Sequence, residues 1–341
     1  MEKTTKWDSM KISEFLLNYA LYIILGLMLI VIICVNPKFL SVSNFTKILT
    51  QASTRIILAL GVAGMIVLAG TDLSVGRIVG CSAAVTASLV QATTYGSRMY
   101  QFEKDLPLIV PLLASIAVAM IFCVINGFGV AKLHLHAFII SLGTQLIAFG
   151  CTCIYINSQG GGAQALSTFN AKFNNFVTGA FNIGGFKLPY LIIYATIAVV
   201  IMYIVWNKTT LGKNMFAIGG NTEAAAVSGV NVAKNIMGVY IIAGVLYGVA
   251  SFLEAGRIGS VNTGTGLNYD LDAISGCVIG GVSFSGGVGT IPGVVIGVVI
   301  LQVITYAFNF LGIDPYLQYI IRGFIIILAV SIDVRKYIAK K

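Results

Sequence analysis

Charge is scarce in this sequence, and its scarcity argues against a soluble globular fold. Only 10% of the 341 residues are Asp, Glu, Lys or Arg, whereas soluble domains carry about 25%. Hydrophobic residues make up 57% of the chain and fall in long blocks. Several blocks approach the roughly 20 residues that a helix needs to cross about 30 Å of hydrocarbon. The blocks lack the alternation of β-barrel strands, so the sequence predicts an all-α polytopic membrane protein.

Patterns that support catalysis, metal binding or nucleotide binding are also lacking. The chain has two histidines, His134 and His136, and its six cysteines include no C-x-x-C pair. It contains no G-x-x-x-x-G-K-[ST] phosphate loop and no G-x-S-x-G or H-E-x-x-H motif. We therefore expect no enzyme activity, no cofactor and no metal site. If ATP drives this protein, another polypeptide binds it.

Basic residues outnumber acidic ones and give a formal net charge of +9. The sequence has no basic run interleaved with aromatic residues, so nucleic acid is not an expected partner. In a membrane protein, excess Lys and Arg hold the cytoplasmic loops on the inner face, next to anionic lipid. The charge therefore predicts contact with membrane lipid.

The hydropathy pattern predicts about ten transmembrane helices within a single domain, residues 1–341. Some of them are short and rich in glycine, which predicts short or broken helices. The predicted spans are 18–35, 56–70, 78–92, 107–126, 137–157, 188–206, 236–253, 271–282, 291–311 and 315–332. An even number of spans places both termini on one side, and the lysines near each end favour the cytoplasm. The loop 207–235 is then cytoplasmic, and the loop 158–187 is periplasmic.

The cytoplasmic loop contains a segment that predicts a short helix with both ends marked. Asn221 is a strong N-cap residue, Glu223 follows in the first turn, and Gly229 suits the position just beyond the C-terminus. Alanines and a serine form the body, so another protein could approach closely. The alternative is an ordinary loop helix at the membrane surface.

Two further stretches interrupt the apolar pattern. In 70–77, Asp72 lies beside broken, glycine-flanked helix, which suits either a pore lining or gate, or a tight turn in which Asp72 caps the next helix. The stretch 264–289 is rich in glycine but lacks the G-x-G-x-x-G spacing, so close helix packing or an unwound half-helix is expected there. Asp270 and Asp272 are candidate caps for the short eighth span.

Taken together, these motifs resemble those of the permease subunits of bacterial ABC importers for simple sugars, the ribose, xylose, arabinose and galactose group. At residues 51–64, 70–72, 206–209 and 253–260 the chain looks most similar, within this group, to galactose/methyl-galactoside permeases. It differs from the wider group at Ala69, often glycine, and at Asp270-Leu271-Asp272, often Glu-Leu-Asp. The resemblance covers nearly the whole length and rests on residues 70–76, 125–127, 138–144, 219–230 and 271–289.

The resemblance implies a homodimeric permease in the bacterial inner membrane with a sugar path along the dimer axis. It implies an ABC ATPase with two fused nucleotide-binding halves and a periplasmic sugar-binding protein as partners. It also implies that the Asn221 helix couples to the ATPase through Gly219, Gly220, Asn221, Glu223, Ala224, Ala225, Ser228 and Gly229. Polar residues suited to sugar hydroxyls are the candidates for the translocation path or gate: Asp72, Ser74, Asn126, Ser141 and Thr144.

Two other functions fit a multi-pass membrane protein. An ion-coupled secondary sugar transporter would need ionisable residues deep in its helices, and only Asp72, Glu254, Asp272 and Arg322 are candidates. Of these, only Arg322 lies away from the end of a predicted span. A membrane-embedded enzyme would need a nucleophile set or metal cluster that the sequence does not show.

Overall fold

The computed structural model describes Gly26, Ile30 and residues 32–158, 164–184 and 186–338. The predicted span 18–35 and the lysines of both ends, Lys3, Lys6, Lys11, Lys340 and Lys341, therefore lie largely or wholly outside the described residues. The described chain is predominantly helical. Its α-helices are α1 Val42–Val67, α2 Val75–Leu89, α3 Ile109–Ala131, α4 Ala137–Asn157, α5 Ala171–Thr178, α6 Tyr190–Lys208, α7 Thr210–Gly220, α8 Thr222–Val227, α9 Val232–Ile258, α10 Tyr269–Ile279, α11 Ile291–Phe310 and α12 Pro315–Ile338.

Helices cover the nine predicted spans that fall on described residues. Six of them are long and apolar enough to cross a membrane: α1, α3, α4, α6, α9 and α11. The prediction of short helices at the second, third and eighth spans is confirmed for α2 with 15 residues and α10 with 11, and is wrong for α1, the second span. The second span was wrong at its start, since α1 begins at Val42 rather than residue 56 and has 26 residues. Polar residues in its first turns lower the hydropathy there, so the pattern did not reveal the start. The helix accommodates them because the Thr46 and Thr50 hydroxyls donate to carbonyls of their own helix.

Short strands add to the helical fold, which the sequence reading did not include. Strands β1 Leu166–Ser167 and β4 Ser260–Val261 pair antiparallel, and β2 Ala180–Ile183 forms a hairpin with β3 Phe186–Pro189. The predicted loop 158–187 therefore contains helix α5 and most of this hairpin. The β1–β4 pair also ties this loop to the end of α9.

Polar N-caps begin many of the helices, because the first backbone N–H groups of a helix lack intrahelical partners. Ser41 accepts from the N–H of Asn44 at the start of α1, and Asn231 accepts from Lys234 at the start of α9. Thr290 accepts from Gly293 at the start of α11. These bonds stabilise a helix more in hydrocarbon than in water, because hydrocarbon offers an unpaired backbone N–H no acceptor.

Helix α1 forms the centre of the fold and packs against α9, α11, α6 and α10. In its most apolar stretch, 83% of the residues are buried, compared with 22% in α4 and in α6. Helices α4 and α6 therefore form an outer wall. Glycines permit the closest helix contacts: a Cβ on Gly61 of α1 would lie 2.7 Å from Cε1 of Tyr247 on α9.

The short helices α2 and α10 begin side by side. Gly76 and Gly80 of α2 lie against the backbone of Gly266 and Thr265, just before α10, so closely that a Cβ at either glycine would overlap a carbonyl oxygen. The glycine-rich stretch 264–289 thus provides close packing, one of the two expectations for it. Asp270 and Asp272 fall in the first turn of α10, after its N-cap residue Asn268.

Candidate functional site

The short helix predicted within the loop 207–235 is present as α8. Asn221 is its N-cap residue and accepts a 2.8 Å hydrogen bond from the N–H of Ala224. Glu223 lies in the first turn, and Gly229 follows the helix with a φ of +85°, which favours glycine. We call residues 209–230, which comprise α7, α8 and their flanks, the coupling segment. The second helix of this segment, α7, was not foreseen.

Most of the proposed coupling residues are exposed. Gly220, Asn221, Glu223, Ala224, Ser228 and Gly229 are exposed, whereas Gly219 and Ala225 are buried. The most exposed large apolar side chain of the segment is Val227, which is 90% exposed at the end of α8. Sequence reasoning passed over Val227, although an isolated branched side chain among alanines was a signal for it.

Gly219 joins the coupling segment to the membrane helices. Its Cα lies against the carbonyl of Val67, the last residue of α1, and a Cβ there would lie 2.7 Å from the amide nitrogen of Gly287. That amide itself donates to the Val67 carbonyl at 2.8 Å. A displacement of α7 towards α1 at this point would therefore clash with the end of α1 or move it.

Asp72 belongs to a chain of buried hydrogen bonds, which we call the Asp72 network. One carboxylate oxygen accepts from the backbone N–H of Ser74 at 2.8 Å and from the Ser74 hydroxyl, and the other accepts from the Tyr247 hydroxyl at 3.2 Å. Asn126 Nδ2 donates to Ser74 Oγ at 3.0 Å, and Thr144 Oγ1 donates to Asn126 Oδ1 at 2.5 Å. The network thereby joins α2, α3, α4 and α9.

The Asp72 network brings together four of the five candidate path residues. The fifth, Ser141, is also buried, but its hydroxyl donates to the Phe138 carbonyl within its own helix. Side chains of the network are at most 3% exposed. Asp72 makes the turn contact with Ser74 and a cross-helix contact with Tyr247, but the N-cap residue of α2 is Ser74 rather than Asp72. The pore or gate role stays a prediction.

Ala69 has a φ of +58° just after α1, where the backbone turns towards Asp72. A positive φ costs an alanine roughly 1–2 kcal/mol, and glycine adopts it freely. This turn gives a physical reason for a glycine at the position.

A second group of polar residues is ionic. We define the charged cluster as Arg55 of α1, Glu254 and Arg257 of α9, Asp272 of α10 and Arg322 of α12. Glu254 is fully buried and accepts from both Nε and Nη2 of Arg257 at 2.7 and 2.6 Å. Arg55 Nη1 lies 3.6 Å from Glu254, and its guanidinium carbon lies 3.1 Å from the centre of the Tyr269 ring.

Asp272 extends the charged cluster to α12. Arg322 Nη1 donates to Asp272 Oδ1 at 3.1 Å, and Arg55 Nε lies 3.8 Å from Asp272 Oδ2. Sequence reasoning considered Glu254, Asp272 and Arg322 singly and missed the cluster. The predicted second span began one residue after Arg55 and so left out an arginine in the middle of α1, which was the available signal.

The described part of the chain also has an apolar groove of about 440 Å³ between α6 and α9, reached by Phe176, Met202 and Phe252 among others. A sugar needs polar groups as well as apolar surface, and this groove presents almost none. Among the described residues no group of three or more His, Cys, Asp or Glu side chains is arranged to hold a metal ion.

Long apolar helices enclosing polar networks, with a capped exposed loop at one end, define a multi-pass membrane transport protein. The chain belongs to the family described as branched-chain amino acid transport system / permease component, whose model matches residues 44–330. It is a transport component of the inner membrane rather than an enzyme.

Individual relatives extend over nearly the full chain. The galactose/methyl galactoside import permease protein MglC of Haemophilus influenzae is 46% identical over 341 residues, 100% of this chain and 99% of that protein. The protein of the same name in Escherichia coli (strain K12) is 47% identical, covering 96% of this chain and 97% of that one. The ribose import permease protein RbsC of Escherichia coli (strain K12) is 32% identical over 92% of each chain. No solved structure matches the chain.

Proposed function

We propose that this protein is the permease subunit of an ATP-driven importer for galactose and methyl galactoside. The observation that carries the proposal is the difference in identity among sugar permeases. Identity is 40–48% to four proteins named as galactose/methyl galactoside permeases and 31–33% to those named for ribose and allose. No observation favours the ion-coupled alternative.

We propose that ten helices cross the membrane and that both termini are cytoplasmic. The described helices supply nine, namely α1, α2, α3, α4, α6, α9, α10, α11 and α12, and residues 18–35 supply the first. The coupling segment then faces the cytoplasm within the loop 207–235, and the loop 158–187 with α5 faces the periplasm. The whole of 1–341 forms one permease domain.

In this arrangement α8 docks on the partner ATPase, which carries two fused nucleotide-binding halves. The exposed face of Gly220, Asn221, Glu223, Ala224, Ser228 and Gly229 makes the contact, and Val227 inserts into the ATPase surface. Gly219 and Ala225, being buried, support this face from within. The Gly219 contact with Val67 carries the movement of the ATPase to α1.

The translocation path runs past Asp72, Ser74, Asn126, Ser141 and Thr144, between two copies of the chain. Because the Asp72 network is closed to solvent, it acts as a gate that must separate before a sugar passes. A periplasmic sugar-binding protein delivers the sugar from the opposite side. Affinity for the sugar then resides mainly in that protein.

Uptake measurements test the function. Labelled galactose, methyl galactoside and ribose are supplied to cells that lack this gene, with and without its restoration. We expect galactose and methyl galactoside uptake to return with the gene and to cease on ATP depletion. Uptake that survives ATP depletion but stops with an uncoupler would contradict an ATP-driven importer, and recovery of ribose alone would contradict the substrate.

The coupling role is tested by Val227→Glu, with Val42→Glu as the matched control. Val42 is 68% exposed at the start of α1, at the opposite end of that helix from the coupling segment. We expect Val227→Glu protein to insert normally and to lose most of its galactose uptake and its association with the ATPase. Val42→Glu should retain the association. Normal ATPase binding by Val227→Glu would refute the docking of α8.

A further inference from the structure

We propose that the open edge of the charged cluster, formed by Arg55, Asp272 and Arg322, binds hydroxyl groups of the transported sugar before the sugar reaches the Asp72 network. The inference rests on the proposed function and adds a binding site on the path. The ligand class is a neutral polyhydroxylated sugar ring.

The charged cluster is open on one side. The side chains of Arg55, Asp272 and Arg322 are 13%, 28% and 21% exposed, whereas Glu254 behind them is fully buried. Charged side chains are costly to expose to hydrocarbon and face protein or water instead. The open edge therefore borders an aqueous space or a protein surface, in contrast to the closed Asp72 network.

Part of the hydrogen-bonding capacity of the charged cluster is unused. Among the described residues, Arg55 Nη1 and Arg322 Nε are buried without a hydrogen-bond partner. The nearest ion-pair contact of Asp272 Oδ2, to Arg55 Nε, is 3.8 Å long and exceeds hydrogen-bond distance. The open edge thus offers an acceptor at Asp272, and beside it lie two buried guanidinium nitrogens whose hydrogen bonds are not made. A sugar hydroxyl donates and accepts at once, so neighbouring hydroxyls can bridge the guanidinium groups and the carboxylate.

The open edge of the charged cluster is held rigidly. Arg55 lies over the Tyr269 ring, the Tyr269 hydroxyl donates to Glu254 at 2.6 Å, and Arg322 Nη2 donates to Thr305 at 2.9 Å. Side chains fixed in this way lose little conformational entropy when a ligand binds. The three guanidinium groups and two carboxylates nearly balance in charge, which suits a neutral ligand.

The charged cluster and the Asp72 network both include residues of α9, and the positions of these residues give the order of the two groups along the helix. Glu254 lies 22 residues from Val232, where α9 begins next to the coupling segment, so the two are separated by about 33 Å along the helix axis. Glu254 is therefore near the end of α9 remote from the coupling segment, and the cluster extends from there to Arg55, midway along α1. Tyr247 of the Asp72 network lies only seven residues, or about 10 Å, from Glu254. A sugar entering at the charged cluster would meet the network next.

Asp272→Asn tests the site, with the exposed Asp314→Asn as the matched control. Uptake is measured with the ATPase and binding protein present, for galactose and for each monodeoxy galactose, as the ratio of variant to wild type. Since the binding protein is unchanged, its own preferences cancel in this ratio. Insertion and thermal stability of each variant are measured in parallel.

We expect Asp272→Asn to lower galactose uptake about tenfold or more, the effect of one hydrogen bond to a charged group. The deoxy sugar that lacks the contacted hydroxyl should lose much less, and Asp314→Asn should change nothing. An equal loss for every analogue, as a structural role or a contact between two copies of the chain would give, overturns the proposal. So does an unchanged rate.

If Asp272→Asn does not insert, Arg322→Lys serves instead, because it keeps a positive charge beside Asp272 and replaces the guanidinium group, with its bonds to Asp272 and Thr305, by a single ammonium. The same dependence on the analogue is expected, and a uniform loss again overturns the proposal. Failure of the wild-type protein to import galactose would instead count against the proposed function, so the two failures are distinguishable.

Discussion

Replacing Glu254 by glutamine should destabilise the protein strongly, although the two side chains have nearly the same shape. The carboxylate is fully buried and accepts hydrogen bonds from Thr54 at 2.7 Å, from Arg257 at 2.6 and 2.7 Å and from Tyr269 at 2.6 Å. Glutamine replaces one acceptor oxygen by an NH2 group, which would face two of these donors, because each carboxylate oxygen accepts two of the four bonds. The charge that balances Arg55 and Arg257 would also be lost.

Removing one partner of a buried ion pair costs about 3–5 kcal/mol, because the remaining charge is left uncompensated. We expect a loss of this size in the free energy of unfolding of Glu254→Gln. It can be measured by titrating the purified protein in mixed micelles with sodium dodecyl sulfate. Glu223→Gln, the same change at an exposed residue of α8, should leave the unfolding curve unchanged.

A double-mutant cycle isolates the pair. The double variant Glu254→Gln/Arg257→Gln should lose less free energy of unfolding than the two single variants together, by more than about 1 kcal/mol. In the double variant neither member of the pair is left as an unpaired charge. Arg55 still faces position 254, so the double variant should remain less stable than wild type. A loss below about 1 kcal/mol for Glu254→Gln alone would refute the reasoning that its charge is required.

Three further predictions concern the same unfolding measurement. Gly61→Ala should cost about 1–3 kcal/mol, because its Cβ would lie 2.7 Å from the Tyr247 ring. Gly143→Ala places its Cβ near no described atom and should not destabilise the protein. Equal effects of the two changes would contradict this prediction. Tyr247→Phe should cost about 1.5–3 kcal/mol by removing a donor to a buried carboxylate, and a neutral effect would show that the bond is dispensable. Ala69→Gly should stabilise by up to about 1–2 kcal/mol because φ is +58°, whereas Ala217→Gly within α7 should destabilise; destabilisation by both would contradict the turn's role.

The sequence was a good guide where one physical rule dominated. The α8 helix followed from Asn221, Glu223 and Gly229, because capping depends on neighbours within a few residues. Spans such as α4 followed from hydropathy, and α4 has the predicted bounds, 137–157. The start of α1 was missed because Ser, Thr and Asn lower the hydropathy of its first turns while bonding to the backbone of their own helix.

Contacts between distant residues could not be predicted in this way. Asp72 and Tyr247 are 175 positions apart, and Thr54 and Glu254 are 200 apart. Each pair meets only because α1, α2 and α9 pack closely at glycines. The sequence proposed Asp72, Ser74, Asn126 and Thr144 as polar candidates, but their joining into one closed network is a property of the packing.

The outer wall formed by α4 and α6 has a consequence for the lipid in which the protein resides. With 21 and 19 residues, these helices are about 31 and 28 Å long, close to the roughly 30 Å of bilayer hydrocarbon. A bilayer of lipids with longer acyl chains would be thicker than this wall. The bilayer would then have to thin around the protein, or the residues flanking the helices would be drawn into the hydrocarbon. Helix α1, enclosed at the centre, would experience this mismatch only through its neighbours. Acyl-chain length should therefore influence the transporter from its periphery inwards.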